Sequence, residues 1–224
     1  MSSTDARPAC SDAGGRVPES LQLNRDLCRR LLDVARQAII VGAESGQVLE
    51  PDLEHVPKVF REPGASFVTL YRRMGQERLL RGCVGSLEPR RPLLQDVAFN
   101  AYCSAFKDRR FAPVTPGELS TLELELSILS PLVALHFTDE ADLLRQLVAG
   151  EDGLVIECGE HRGTFLPSVW GQLPNVDDFW IHLKHKAGLA ADFWSPKLRC
   201  WRYRVLKIRE AEQVEFDDCE PQSQ

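Results

Sequence analysis

The stretch SFVTLYRRMGQERLLRGCVG, residues 66–85, decides the fold class. Its two ends, residues 66–71 and 79–84, are rich in β-branched, aromatic and leucine side chains, and the polar RRMGQER between them carries a glycine, so a β-hairpin is predicted. Upstream, Asn24 can cap a helix whose apolar stripe is Leu27, Leu31, Val34, Ala35, Ala38 and Ile39, with Gly42 to stop it. Downstream, Pro92 can open a helix along Leu93, Val97, Ala101 and Ala105 that ends near Lys107. Thr115 and Glu118 have capping-box spacing ahead of a half-buried strand over 122–129. Thr138 can cap a helix through Leu143, Leu147 and Val148 that closes at Gly150. GLVIEC and GTFL then form a second hairpin around Gly159, Asn175 or Asp177 begins a helix to Lys186, and residues 198–208 make the last strand. Helices and hairpins interleave without regular βαβ alternation, which predicts an α+β fold: a mainly antiparallel sheet with flanking helices.

The 224 residues carry 27 Lys+Arg against 33 Asp+Glu, a net charge of −6, and are 43% hydrophobic. That is enough chain and apolar content for one large domain or two small lobes, and it excludes collagen, coiled coil and wholesale disorder. Residues 1–20 read as a flexible N-terminal tail, 21–210 as the folded body and 211–224 as an acidic tail. The first 20 residues lack an apolar h-region and no run approaches the ~18 apolar residues of a membrane span, so a cytoplasmic protein is expected. Seven cysteines without CxxC spacing fit reduced thiols. The acidic balance makes nucleic acid an unlikely partner, but residues 61–110 hold ten basic and five acidic residues, so this one region can attract an anion.

No phosphate loop, Rossmann glycine pattern, HExxH or GxSxG is present. In Arg81-Gly-Cys-Val-Gly85 a regular strand would put Arg81 and Cys83 on one face, where a guanidinium favours thiolate, while Gly82 and Gly85 leave the backbone open to a ligand. The competing reading makes Cys83 a small buried hydrophobe and Gly82 the mark of a bulge. Lys107-Asp-Arg-Arg110 is either a charged helix cap or an anion site, in which Arg109 presents its fork and Asp108 orients it; the arginines at 72, 73, 78, 81, 90 and 91 would extend that patch. Cys158, His161, His182 and His185 have poor spacing for zinc, so no metal is expected. The aromatic residues crowding the last third, among them Trp170, Trp180, Trp201 and Tyr203, read as core.

Taken in order, several segments resemble the AMMECR domain family, whose bacterial members form the A component of the AmmeMemoRadiSam system. They are Phe67-Val-Thr-Leu70, Leu80-Arg-Gly-Cys-Val-Gly85, Phe106-Lys-Asp with Arg110-Phe and Pro113, Glu125-Leu-Ser-Ile-Leu-Ser130, Asp152-Gly-Leu, Gly163-Thr-Phe-Leu-Pro167 and Lys186-Ala-Gly-Leu189. Ser168 stands where the family usually has Gln. The resemblance implies two lobes with the LRGCVG segment in or near a cleft, and genomic company with a Memo-like protein and a radical S-adenosylmethionine enzyme. On this basis the cleft is expected to bind or modify a small anionic ligand; if the site is catalytic, Cys83 is the nucleophile, Arg81 activates it and holds the anion, and Glu125 or Asp108 is the base. Gly82, Gly85, Lys107 and Arg109 complete the expected binding set, and no cofactor is implied. The rival expectation is a noncatalytic adaptor that docks such a partner, or RNA, through the basic 72–110 surface.

Overall fold

The computed structural model describes residues 23–75 and 77–210, so the expectations for the two tails lie outside the described residues. Helix α1 (Arg25–Ser45) starts where expected, with Asn24 Oδ1 accepting the Leu27 N–H at 2.9 Å. It does not stop at Gly42. The helix continues to Ser45 and ends at Gly46, whose φ of 71° is the left-handed conformation that glycine tolerates. Gly42 is small for a packing reason: a Cβ there would lie 2.3 Å from Phe106 Cε2. A short helix α2 (Lys58–Arg61) follows, then the predicted hairpin of β1 (Pro63–Met74) and β2 (Glu77–Gly85), a two-residue strand β3 (Arg91–Pro92), and α3 (Leu93–Phe106). A 3-10 turn (Pro116–Thr121) leads into β4 (Leu122–Leu129), which pairs antiparallel with β1. Helices α1 and α3 cover one face of this sheet, where Val68, Leu70, Leu124, Leu126 and Ile128 meet Leu31, Ile39, Val97 and Ala101 in the main core.

The chain then crosses to a second lobe: β5 (Val133–Leu135), α4 (Glu140–Arg145), β6 (Gly153–Cys158), β7 (His161–Phe165), α5 (Val176–Lys186) and β8 (Arg199–Tyr203). Its sheet runs β5-β8-β6-β7 and packs on α5 around Phe179, Trp180, Leu183 and Trp170, the last stacked on Phe179 at 3.8 Å between ring centroids. Two helix ends differ from expectation. The cap of α4 is Asp139 rather than Thr138, and the helix stops at Arg145, because Asp142 Oδ2 turns back to take the Thr138 N–H at 3.0 Å and Asp152 Oδ2 takes the Val148 N–H at 2.9 Å.

The predicted strand over 198–208 is two strands in two sheets. From β8 the chain returns through Arg204 to β9 (Val205–Arg209), which completes the first sheet in the order β2-β1-β4-β9. The alternation of Trp201, Tyr203 and Val205 continues through the crossing, so periodicity does not register the change of sheet. At the seam, Ser130 N–H donates to the Arg204 carbonyl and Arg204 N–H donates to Ser130 Oγ, both at 2.9 Å. Ala65, Leu129, Val155 and Tyr203 form a small apolar cluster there. No helix among the described residues is long and apolar enough to cross a membrane.

Replacing Ser130 by Ala strips the half-buried Arg204 N–H of its acceptor. S130A is expected to lower unfolding free energy by about 1–3 kcal/mol, read by urea titration.

Candidate functional site

Strand register puts Cys83 on β2, Thr69 on β1, Glu125 on β4 and Arg209 on β9 opposite one another, in a single row across the first sheet. This is the face that the helices leave open. Thr69 Oγ1 donates to Cys83 Sγ at 3.3 Å, and Arg209 Nε donates to Glu125 Oε2 at 2.7 Å. Thr69 and Glu125 are buried, whereas Cys83 is half-buried. Cys83, Thr69 and Glu125 lie in the wall of a cavity of about 710 Å3 between the lobes; Tyr71 and Lys207 also line it, and Gly150, Glu151 and Ser168 close it from the second lobe.

Helix α3 and the loop after it fix the position of the thiol. Ser104 Oγ, on the last turn, donates to the Val68 carbonyl at 2.7 Å and accepts the Val84 N–H at 2.9 Å, bridging both strands of the hairpin beside Cys83. Asp108 Oδ2 accepts the Cys83 N–H at 2.9 Å. Arg110 holds that carboxylate with two bonds, at 3.0 and 2.7 Å, and its Nη2 also reaches the Cys83 carbonyl at 3.3 Å. These contacts, the Arg110 guanidinium foremost, keep the Asp108 carboxyl far below the usual carboxylate range. A carboxylate so strongly held is a poor proton acceptor at neutral pH, which corrects the assignment of Asp108 as base: it positions the cysteine segment.

The structure puts Cys83 and Glu125 in the cavity wall, sets Asp108 on the Cys83 backbone, and places the remaining expected residues elsewhere. Pairing shifts between Leu70 and Tyr71, so that Gly82 faces Leu70 while Leu80 faces Tyr71, and Arg81 is the extra residue of a bulge. The bulge breaks the alternation that would have put Arg81 beside Cys83. Its guanidinium instead bonds both Glu118 oxygens, at 2.9 and 3.2 Å, and does not line the cavity. The bulge reading of Gly82 is therefore correct. A Cβ on Gly82 would lie 2.2 Å from the Ser104 carbonyl oxygen, and one on Gly85 would lie 2.3 Å from the Phe67 ring. Both glycines admit protein, not ligand. Lys107 caps α3 and sits over the Tyr102 ring at 5.9 Å, and Arg109 is exposed; neither lines the cavity.

The expected basic patch is largely paired: Arg73 and Arg78 hold Glu123, Arg90 holds Glu88, and Arg91 lies 3.9 Å over the Phe99 ring. His161 Nδ1 meets the Ala187 carbonyl at 3.1 Å, and among the described residues Cys158, His161, His182 and His185 form no cluster of converging ligand atoms. The site residues that the sequence did not single out are Thr69, Lys207 and Arg209, and Arg110 was read only as part of its charged motif. Thr69 was within reach as the one polar position between the apolar Val68 and Leu70, which the strand period puts on the other face. Arg209 required knowledge of which strand lies beside β4.

Burial pushes other thiols up: Cys28 to about 11, Cys200 to about 12, and Cys103 in the same direction. Cys158 packs partly against the second-lobe core. Cys83 alone among the described cysteines lines this cavity with a hydroxyl donor on its sulfur.

A sequence model described as AMMECR1 matches residues 32–208. The chain is 37% identical over 193 residues to a protein of Methanothermobacter thermautotrophicus, covering 84% of this chain and 96% of that one. It is 36% identical over 166 residues to a protein of Methanocaldococcus jannaschii, covering 71% and 80%. The crystal structure of an uncharacterized protein from Pyrococcus horikoshii superposes with a TM-score of 0.63 at 31% identity, covering 79% of this chain and 88% of the other.

Two outcomes follow from this geometry. Because the Cβ of G82A would meet backbone, that variant is expected to lose about 3 kcal/mol of stability in denaturant titration, whatever ligand is present. The second concerns Glu118, which the Arg81 hydrogen bonds foremost hold at about 2 against an ordinary 4.5. A carboxyl depressed in the folded state contributes its full stabilisation above the unfolded value and loses it as pH falls through the folded one. The stability gap between wild type and E118Q should therefore shrink as pH falls from 4.5 toward 2, as read by urea midpoints across that range.

Proposed function

This chain belongs to the AMMECR1 family, and from that premise we propose that its inter-lobe cleft binds and modifies a small anionic ligand, with Cys83 as the nucleophile. The observation that carries this reading is the hydrogen bond from Thr69 Oγ1 to Cys83 Sγ, at 3.3 Å inside a cavity of about 710 Å3. That hydrogen bond fixes the sulfur on the open face of the sheet, and a cavity of that size falls within the roughly 300–1,000 Å3 typical of small-molecule sites. Glu125 lies one strand beyond Thr69 and is the candidate base. In this reading Glu125 acts as base for the Cys83 proton, the sulfur bonds to an electrophilic carbon of the ligand as that carbon's bond to its leaving group breaks, and the leaving group departs with the proton. Arg209 orients Glu125, and Arg110 with Asp108 holds the cysteine segment in place. Lys207 supplies the cation for the ligand: it lines the cavity, is exposed, and among the described residues has no carboxylate partner.

Charge pairing supports a cleft over a basic docking surface. Of the ten cations in 61–110, Arg73, Arg78, Arg81, Arg90 and Arg110 are each held by a carboxylate. A polyanion or an acidic partner would have to displace those carboxylates to engage them.

Brief low-dose iodoacetamide followed by mass spectrometry is expected to label Cys83 before Cys28, Cys103, Cys158 or Cys200. Replacing Thr69 by Val should slow that labelling about tenfold, because the one hydrogen bond to the sulfur is lost. Small carboxylates and phosphates that bind should protect Cys83, and K207E should abolish the protection. Labelling at Cys158 first, or a rate unchanged in T69V, would overturn the nucleophile.

A further inference from the structure

The seam between the lobes holds a second cavity, of about 430 Å3, that shares no lining residue with the first. Its floor is the apolar cluster of Ala65, Leu129, Val155 and Tyr203, and Leu87 and Leu132, large side chains 37% and 42% exposed, stand at its mouth. Exposed leucines around a concave apolar floor are what an apolar ligand body would cover.

The cations of the lining come from one side, Arg162 on β7 and Lys186 at the end of α5, and the other polar groups are Glu88, Ser130, Thr164 and Tyr203. Tyr203 Oη donates to the Phe165 carbonyl and meets Thr164 Oγ1, both at 3.1 Å, and burial pushes the phenol up to about 12, so it remains a neutral donor. Glu88, the one acidic residue lining the cavity, is held by Arg90 and by Arg162 Nη1 at 3.0 Å. Lys186 also lines it; its Nζ sits 5.0 Å from the Phe165 ring centroid, and among the described residues no carboxylate pairs with it. The charge balance at this mouth is therefore positive. One cation in surplus is set beside an apolar floor.

We infer that this second cavity binds a small carboxylic acid with an apolar tail, the carboxylate at Lys186 and the tail over Leu129 and Val155. The apolar area buried drives entry, and the charge-assisted hydrogen bonds select the anion over its neutral counterpart. The site is independent of the Cys83 chemistry.

Titration calorimetry on the full chain with octanoate and 1-octanol tests it. Octanoate is expected to bind about tenfold more tightly than octanol, the difference one charged hydrogen bond makes. K186E should bring octanoate down to the octanol level, and K207E, in the other cavity, should leave octanoate unaffected. Circular dichroism checks that K186E is folded; if it is not, K186Q should show a smaller loss in the same direction. Equal affinity for octanoate and octanol, octanoate binding that survives K186E, loss of binding in K207E, or no binding of either compound would each overturn the site.

Discussion

The two lobes are locked to each other where the chain passes between them, by the paired hydrogen bonds of Ser130 and Arg204. The crossing strands are neighbours on both sides of this point: Leu129 pairs with Val205 in the first sheet, and Val133 with Arg202 in the second. One two-stranded ribbon thus runs through both sheets and bends at Ser130 and Arg204. Asp152, fully buried, approaches the Arg204 guanidinium at 3.4 Å and anchors the second-lobe wall to the same point. A ribbon bonded through its bend resists the rotation that an open linker would allow. Because each lobe keeps its own core, the seam between them is only partly filled by the small cluster around Tyr203, and a cavity remains on either side.

The sequence discloses its local structure well and its long-range structure poorly. The hairpin, the start of α1, the span of α3, the Thr115–Glu118 box and the Asn175 cap were all legible, since each depends on residues within one or two turns of each other. The misreadings have a common origin in contacts between distant segments. Gly42 looked like a helix stop because glycine usually ends helices, yet here it makes room for Phe106, more than sixty residues along the chain. Gly82 and Gly85 looked like openings for a ligand, but they give way to Ser104 and Phe67. The residues of the cleft were found in part because cysteine and carboxylate carry chemistry on their own. Thr69 and Arg209 acquire theirs only from the register that lines them up with Cys83 and Glu125.

Charge counting along the chain misled for the same reason. The surplus of cations between 61 and 110 is real, but the acidic residues that answer it include Glu118 and Glu123, which lie beyond that window. Arg81 shows the consequence most clearly. On an unbroken strand it would stand beside Cys83; one inserted residue turns it to Glu118, and the guanidinium nearest the cysteine becomes Arg110, from the loop after α3. A bulge of one residue is invisible to alternation, because the apolar pattern on either side remains intact.

What separates Cys83 from the other described cysteines is therefore position rather than local sequence. Cys28 and Cys200 are sealed in the two cores, where desolvation holds the proton on sulfur. Cys83 is pinned through its backbone by Asp108 on one side, with the Ser104 hydroxyl bridging the strands next to it, while its side chain points to the uncovered face of the sheet. The backbone contacts occupy the N–H and C=O groups that would otherwise compete for a ligand, so the sulfur and the Thr69 hydroxyl are what Cys83 and its neighbour present to the cleft. Rigidity of the strand and openness of the side chain come from opposite faces of one sheet. The helices make the first possible by covering one face, and the crossing at Ser130 and Arg204 makes the second possible by holding the other lobe across, but not against, the other.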